Sequence, residues 1–112
     1  MTDDTRDWGD IATRIVFEND RVRVWELELE PGQRSDLHRH DLDYLMIQIE
    51  GDEISAVFEP DSEDAFGGAT MPDRTIAGAV SPGMVVWGGA GGKETAVNTG
   101  ERTFREIVVE LK

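Results

Sequence analysis

Pro31-Gly32-Gln33-Arg34-Ser35-Asp36-Leu37-His38-Arg39-His40-Asp41-Leu42-Asp43-Tyr44 is the stretch on which the fold turns. It holds the chain's only two histidines, with Gly32 six residues before His38 and Gly51 eleven residues after His40. In an extended strand residues i and i+2 project from the same face, so one short segment can offer two imidazole nitrogens to a single ion. A metal site is the first reading. Two exposed histidines on a polar loop, among Arg34, Asp36, Arg39, Asp41 and Asp43, would look much the same, and a bare His-x-His does not separate the two.

The surroundings do. Glycine, five residues, His-x-His, three residues, Tyr44, six residues and Gly51 resembles the first cupin motif, in which a glutamate stands where this chain has Tyr44. The second cupin motif, a Pro-x-Gly turn followed by a histidine and, after three intervening residues, an asparagine, resembles Ser81-Pro82-Gly83-Met84-Val85-Val86-Trp87 with Glu94-Thr95-Ala96-Val97-Asn98. Glu94 takes the histidine position and Asn98 is retained. The resemblance covers about residues 13 to 111, and it is looser in the second motif than in the first.

Carried over position by position, the resemblance implies a metal held by His38, His40 and Glu94, with Tyr44 in the place of the fourth ligand. Two imidazoles and one carboxylate form a facial triad that leaves coordination sites open, and the ion it implies is Fe, Mn, Ni or Zn. A neutral tyrosine is a poorer ligand than an ionised glutamate, so Tyr44 is expected to act on substrate by orienting it or shuttling a proton. The implied fold is an all-β jelly-roll barrel of two packed antiparallel sheets, a single domain like the small stand-alone bacterial members. The implied function is a metal-dependent enzyme, an oxygenase, isomerase or lyase, acting on a small carboxylate or amino-acid-derived metabolite. The alternative is a non-catalytic barrel that binds a small ligand or a partner and has lost its metal chemistry, since fold alone does not give function.

Length and charge bound the remaining choices. The 112 residues suit one domain, with residues 1 to 12 polar, acidic and loosely held and residues 13 to 112 forming the barrel. A net charge of −13 repels phosphate backbones and anionic lipid, which argues against nucleic acid and membrane as partners and leaves a small-molecule ligand. The absence of cysteine excludes disulfides and thiolate ligands. No stretch is apolar enough to cross a bilayer, and the start lacks the basic and apolar regions of a secretory signal, so the expected location is the cytoplasm.

The patterning is that of strands. Residues 14–18 and 21–30 flank an Asn19-Asp20 turn, with Trp25, Leu27 and Leu29 on one face and Glu26, Glu28 and Glu30 on the other. Residues 44–49 carry no charge on either face, which predicts a strand covered on both sides, one by the core and the other by a second subunit in a homodimer. If extended geometry persists from His38, then Tyr44, Met46 and Gln48 share the histidines' face and Asp43, Leu45 and Ile47 point away. Further strands are expected at 53–59, 84–87, 94–98 and 103–111, with a turn-rich loop or short hairpin at 60–74. Arg23, Arg105 and Glu106 lie on strands and are candidates to line the cavity, the arginines suiting an anionic ligand. Gly88-Gly89-Ala90-Gly91-Gly92-Lys93 lacks the glycine and hydroxyl residue of a phosphate loop and reads as a flexible turn.

Overall fold

The computed structural model describes residues 4–63 and 74–112. Nine strands run in the order β1 Arg14–Glu18, β2 Val22–Leu29, β3 His38–Arg39, β4 Tyr44–Glu50, β5 Glu53–Phe58, β6 Thr75–Ala79, β7 Val85–Gly88, β8 Lys93–Val97 and β9 Phe104–Leu111, and no helix occurs among the described residues. They form a five-stranded sheet, β1-β2-β9-β4-β7, and a four-stranded sheet, β3-β8-β5-β6. Every pairing is antiparallel. This is the all-β, two-sheet barrel expected from the sequence. Among the described residues no helix is long and apolar enough to cross a membrane.

Period-two patterning sets the layers. In β2 and β9 burial alternates along the strand, so Trp25, Leu27, Leu29, Phe104 and Val108 face the interior. Each buried side chain of that size contributes about 1.5–3 kcal/mol, and the cluster forms the core of the larger sheet. The strand missing from the sequence reading is β6, whose residues Thr75-Ile76-Ala77-Gly78-Ala79 give little hydrophobic signal. The expected loop at 60–74 falls largely outside the described residues.

Residues 4 to 12 form no strand yet are fastened to the barrel, contrary to their polar composition. Ile11 and Ala12 are buried. The amide of Gly9 donates to the carbonyl of Leu37 at 2.8 Å, and Arg6 pairs with Asp61 at 2.7 Å. Burial of Ile11, the apolar residue in an acidic run, and the backbone bond at the barrel edge supply the hold that composition does not reveal.

Candidate metal centre

The histidine segment runs antiparallel to β8. Ser35 donates its amide to Ala96, Arg34 bridges Val97, and His38 and Arg39 pair with Glu94 and Lys93. The register slips by one residue between Arg34 and His38, after which inward and outward positions alternate from His38 to Tyr44. His40 is fixed at both backbone groups: its amide donates to Gly92 at 2.8 Å and its carbonyl accepts from Gly91 at 2.7 Å. The glycine-rich turn read as flexible is therefore a clamp on a candidate ligand, and Gly91, at φ +105°, supplies a left-handed conformation that other residues resist.

His38, His40 and Glu94 are each buried, and one donor atom from each lies within 4.8 Å of the others. Nε2 of His40 is 3.1 Å and Nε2 of His38 3.5 Å from Oε1 of Glu94. Nδ1 of His38 lies 2.8 Å from the carbonyl oxygen of Asp36, an acceptor only, so the proton sits on Nδ1 and the Nε2 lone pair points into the cluster. Oε2 of Glu94 and Nδ1 of His40 are buried without a hydrogen-bond partner among the described residues. Burial opposes the Glu94 charge, but the His38 and His40 rings, when protonated, outweigh it and hold this carboxyl at about 2; a cation that displaces the Nε2 protons would take over that role. A buried carboxylate, an oriented imidazole lone pair and unsatisfied polar atoms fit a divalent cation.

Tyr44 is fully buried and stacks on His40, with ring centroids 3.8 Å apart and 13° between planes. Burial, followed by the Glu94 and Glu106 charges, pushes its phenol far above the usual range, so it is a neutral donor. Its hydroxyl has no partner among the described residues. Gly88, its register partner on β7, leaves the space the ring occupies, because a methyl group there would run into the ring and hydroxyl.

A cavity of about 320 Å³ lies between the sheets, bounded by the triad and Tyr44 at one part of its wall, and by Met46, Gln48 and Glu106 at another. Two expectations need correction. Arg105 faces the outside of its sheet and pairs with Glu26 at 2.8 Å, since neighbours on a strand face opposite ways and Glu106 takes the inward position. Arg23 is held at the end of β2 by Glu18 at 3.0 Å and Glu110 at 3.3 Å, outside the cavity lining. Neither can contact a ligand there.

Asp43 is likewise excluded from the triad, because its carboxylate accepts from the Ala90 amide at 2.9 Å. Asn98 is 1% exposed and holds backbone: its amide nitrogen donates to Leu29 and Arg102, and its oxygen accepts from Gly100. Sequence reasoning missed Asp36 as the support of His38 and Gly88 as the seat of Tyr44. Only the position of Asp36, two residues before a histidine, hinted at either.

No protein-family model matches the chain, and no curated protein matches it by sequence. Solved structures match over nearly its whole length. A cupin-domain protein from Bordetella pertussis Tohama I superposes with a TM-score of 0.70 at 20% identity, covering 97% of this chain and 99% of that one. The chain has the cupin fold. The polyketide cyclase of Streptomyces resistomycificus (TM-score 0.59, 18% identity, 88% of this chain and 62% of that one) and a DMSP lyase from Ruegeria pomeroyi DSS-3 (TM-score 0.57, 18% identity, 84% and 40%) share it. A cyclase and a lyase on one barrel leave the reaction of this chain to its own residues.

Glu106 is the unusual one among them. Burial, with the nearby Glu94 charge adding to it, raises its carboxyl to about 8, so it is largely protonated at neutral pH. The unfolded chain loses that proton near the ordinary glutamate value of 4.5, whereas the folded chain keeps it until about 8. Stability from this group is therefore complete below about pH 4.5 and is lost as pH rises through about 8. Glu106→Gln, which is neutral at every pH, should gain on wild type in thermal unfolding with chelator as pH rises from about 5 to about 9. A difference independent of pH would mean that Glu106 is ionised throughout.

Proposed function

We propose that this cupin is a metal-dependent enzyme acting on a small molecule, with a divalent ion held by His38, His40 and Glu94. The observation that carries the reading is the imidazole of His38, locked by the Asp36 carbonyl with its lone pair turned toward a buried carboxylate. The bound ion would supply Lewis-acid or redox chemistry at a position open to substrate. Fe, Mn, Ni and Zn all suit two imidazoles and one carboxylate. The chain's residues supply the rest: Tyr44, stacked on His40, keeps that imidazole in its plane, while the apolar walls exclude water. A carboxylate head group on the substrate would owe its attraction to the ion, because no arginine or lysine lines the cavity among the described residues.

Metal content of the purified protein, followed by activity with the loaded ion, tests the reading. One ion per chain is expected. A metal-free protein that takes up no added Fe, Mn, Ni or Zn would favour the alternative, a barrel that binds its ligand without metal.

We further propose that the protein is a homodimer through the outer face of the five-stranded sheet. Register places Trp87, Leu45, Val109, Val24 and Phe17 side by side across all five strands, a row about 19 Å long. Trp87 is 53% and Phe17 48% exposed, and Val85 and Ile47 begin a second row that ends in Glu26 and Arg14. A second copy is the occupant this face suits: an apolar row bordered by both signs of charge complements itself across a two-fold axis. Ile47→Glu is expected to give a protein of half the wild-type mass by light scattering, with metal binding unchanged. A wild-type mass of 12.5 kDa at micromolar concentration would withdraw the dimer.

A further inference from the structure

The cavity has a second polar patch away from the triad. Gln48 and Glu106 are direct register partners on β4 and β9, both face inward, and each is only 6% exposed. Gln48 is held by its own oxygen, which accepts from the Ser81 amide at 2.9 Å, and by its backbone bonds to Met84 and Gly83. The amide nitrogen is thereby left as the free end of an oriented side chain. Neither that nitrogen nor the Glu106 carboxyl has a hydrogen-bond partner among the described residues. Both side chains line the cavity with polar atoms that no described residue engages, so a ligand oxygen can complete them. The next inward level of the sheet toward Tyr44 is hydrocarbon, Met46 in register with Val86 and Val108.

Charge selects among ligands. Glu94 reduces a divalent ion to a residual charge of about +1, which one carboxylate or enolate head neutralises. A second anion at the far end would meet Glu106 with no cation in the cavity lining, and an uncompensated buried charge is expensive. A hydroxyl or carbonyl meets no such penalty and can use both a donor and an acceptor.

We infer that Gln48 and Glu106 form a second subsite that binds an uncharged oxygen function, a hydroxyl or carbonyl, at the far end of a largely hydrocarbon ligand. The inference rests on the proposed metal reading for the other end of that ligand. The substrate class it names is the hydroxy- or oxo-substituted monoacid, as opposed to dicarboxylates and phosphorylated compounds.

The test is calorimetric titration of zinc-loaded protein with straight-chain ω-hydroxy acids, the unsubstituted acids and the dicarboxylates of the same length, from four to eight carbons. At the best-fitting length the hydroxy acid should bind at least about tenfold more tightly than either counterpart. Glu106→Leu and Gln48→Leu should each reduce that preference toward unity. A dicarboxylate that binds as well as the hydroxy acid, a preference that survives both leucine variants, or no binding by any hydroxy acid would overturn the inference. Should neither leucine variant fold, the wild-type series decides alone. Zinc titration beforehand separates the two failures. If zinc does not bind, the metal reading is lost, and the subsite is judged on the metal-free protein with 1-alkanols against the corresponding carboxylates. A preference for the alcohol upholds it, and equal or inverted binding overturns it.

Discussion

His38→Ala is expected to yield a folded barrel that no longer retains a stoichiometric divalent ion. Among the candidate ligands the His38 imidazole has its ring nitrogen fixed by the 2.8 Å contact with Asp36. Removing a mere supporting hydrogen bond around a metal costs about 10–100-fold in affinity, and removing a ligand should cost more. Folding should survive, because Trp25, Leu27, Leu29, Phe104 and Val108 pack on the other sheet and do not depend on β3. His40→Ala should behave alike. Glu94→Gln should weaken binding severely by removing the anionic ligand, and Glu94→His should restore a more ordinary cupin set. Metal analysis beside circular dichroism checks all four. Full metal content in either alanine variant would remove the triad, and unchanged affinity in Glu94→Gln would place the carboxylate elsewhere.

Gly88→Ala should produce the largest loss of stability from the smallest change. The added methyl would collide with the Tyr44 ring and hydroxyl, and that ring has no room to retreat because it is fully buried against His40. Overpacking of this kind costs about 1–3 kcal/mol, and each kcal/mol lowers the melting temperature of a domain this size by about 4–8 °C. If the collision is the cause, Tyr44→Leu should relieve part of the loss, and the double variant should be more stable than the sum of the single effects predicts. Strict additivity would show that Gly88 matters for its backbone and not for Tyr44.

Much of this architecture was legible because its signals are periodic. Alternation over 22–29 and 104–111 gave two strands their inner and outer faces, and the spacing of Gly32, His38, His40 and Gly51 gave the barrel itself. The strand β6 was not legible because residues facing a cavity are small where the cavity needs room, and Gly78 and Ala79 carry no hydrophobic pattern. The arginines were misplaced for a different reason. Guanidinium groups suggest anion binding, yet Arg23, Arg14 and Arg105 are all taken up by neighbouring glutamates in a chain rich in carboxylates. Parity alone could have separated Arg105 from Glu106, since consecutive strand residues cannot both point inward. Glu106 ran against the rule that glutamate stays wet, and that rule fails where a cavity needs a polar wall.

The position of β3 at the border of its sheet has a dynamic consequence. The strand itself makes only two register pairs to β8, its register shifts by one residue between Arg34 and His38, and the backbone bonds of His40 to Gly91 and Gly92 close its far end. Border strands of such brevity open and reclose far more often than the molecule as a whole unfolds. An ion shared by His38, His40 and Glu94 would rivet the border strand to the one beside it without spanning the two sheets. Occupancy should accordingly quieten local breathing of the 38–41 segment and, because the ion binds only the folded chain, raise the melting temperature with ion concentration, so that the metal would serve as a latch on one seam of the barrel.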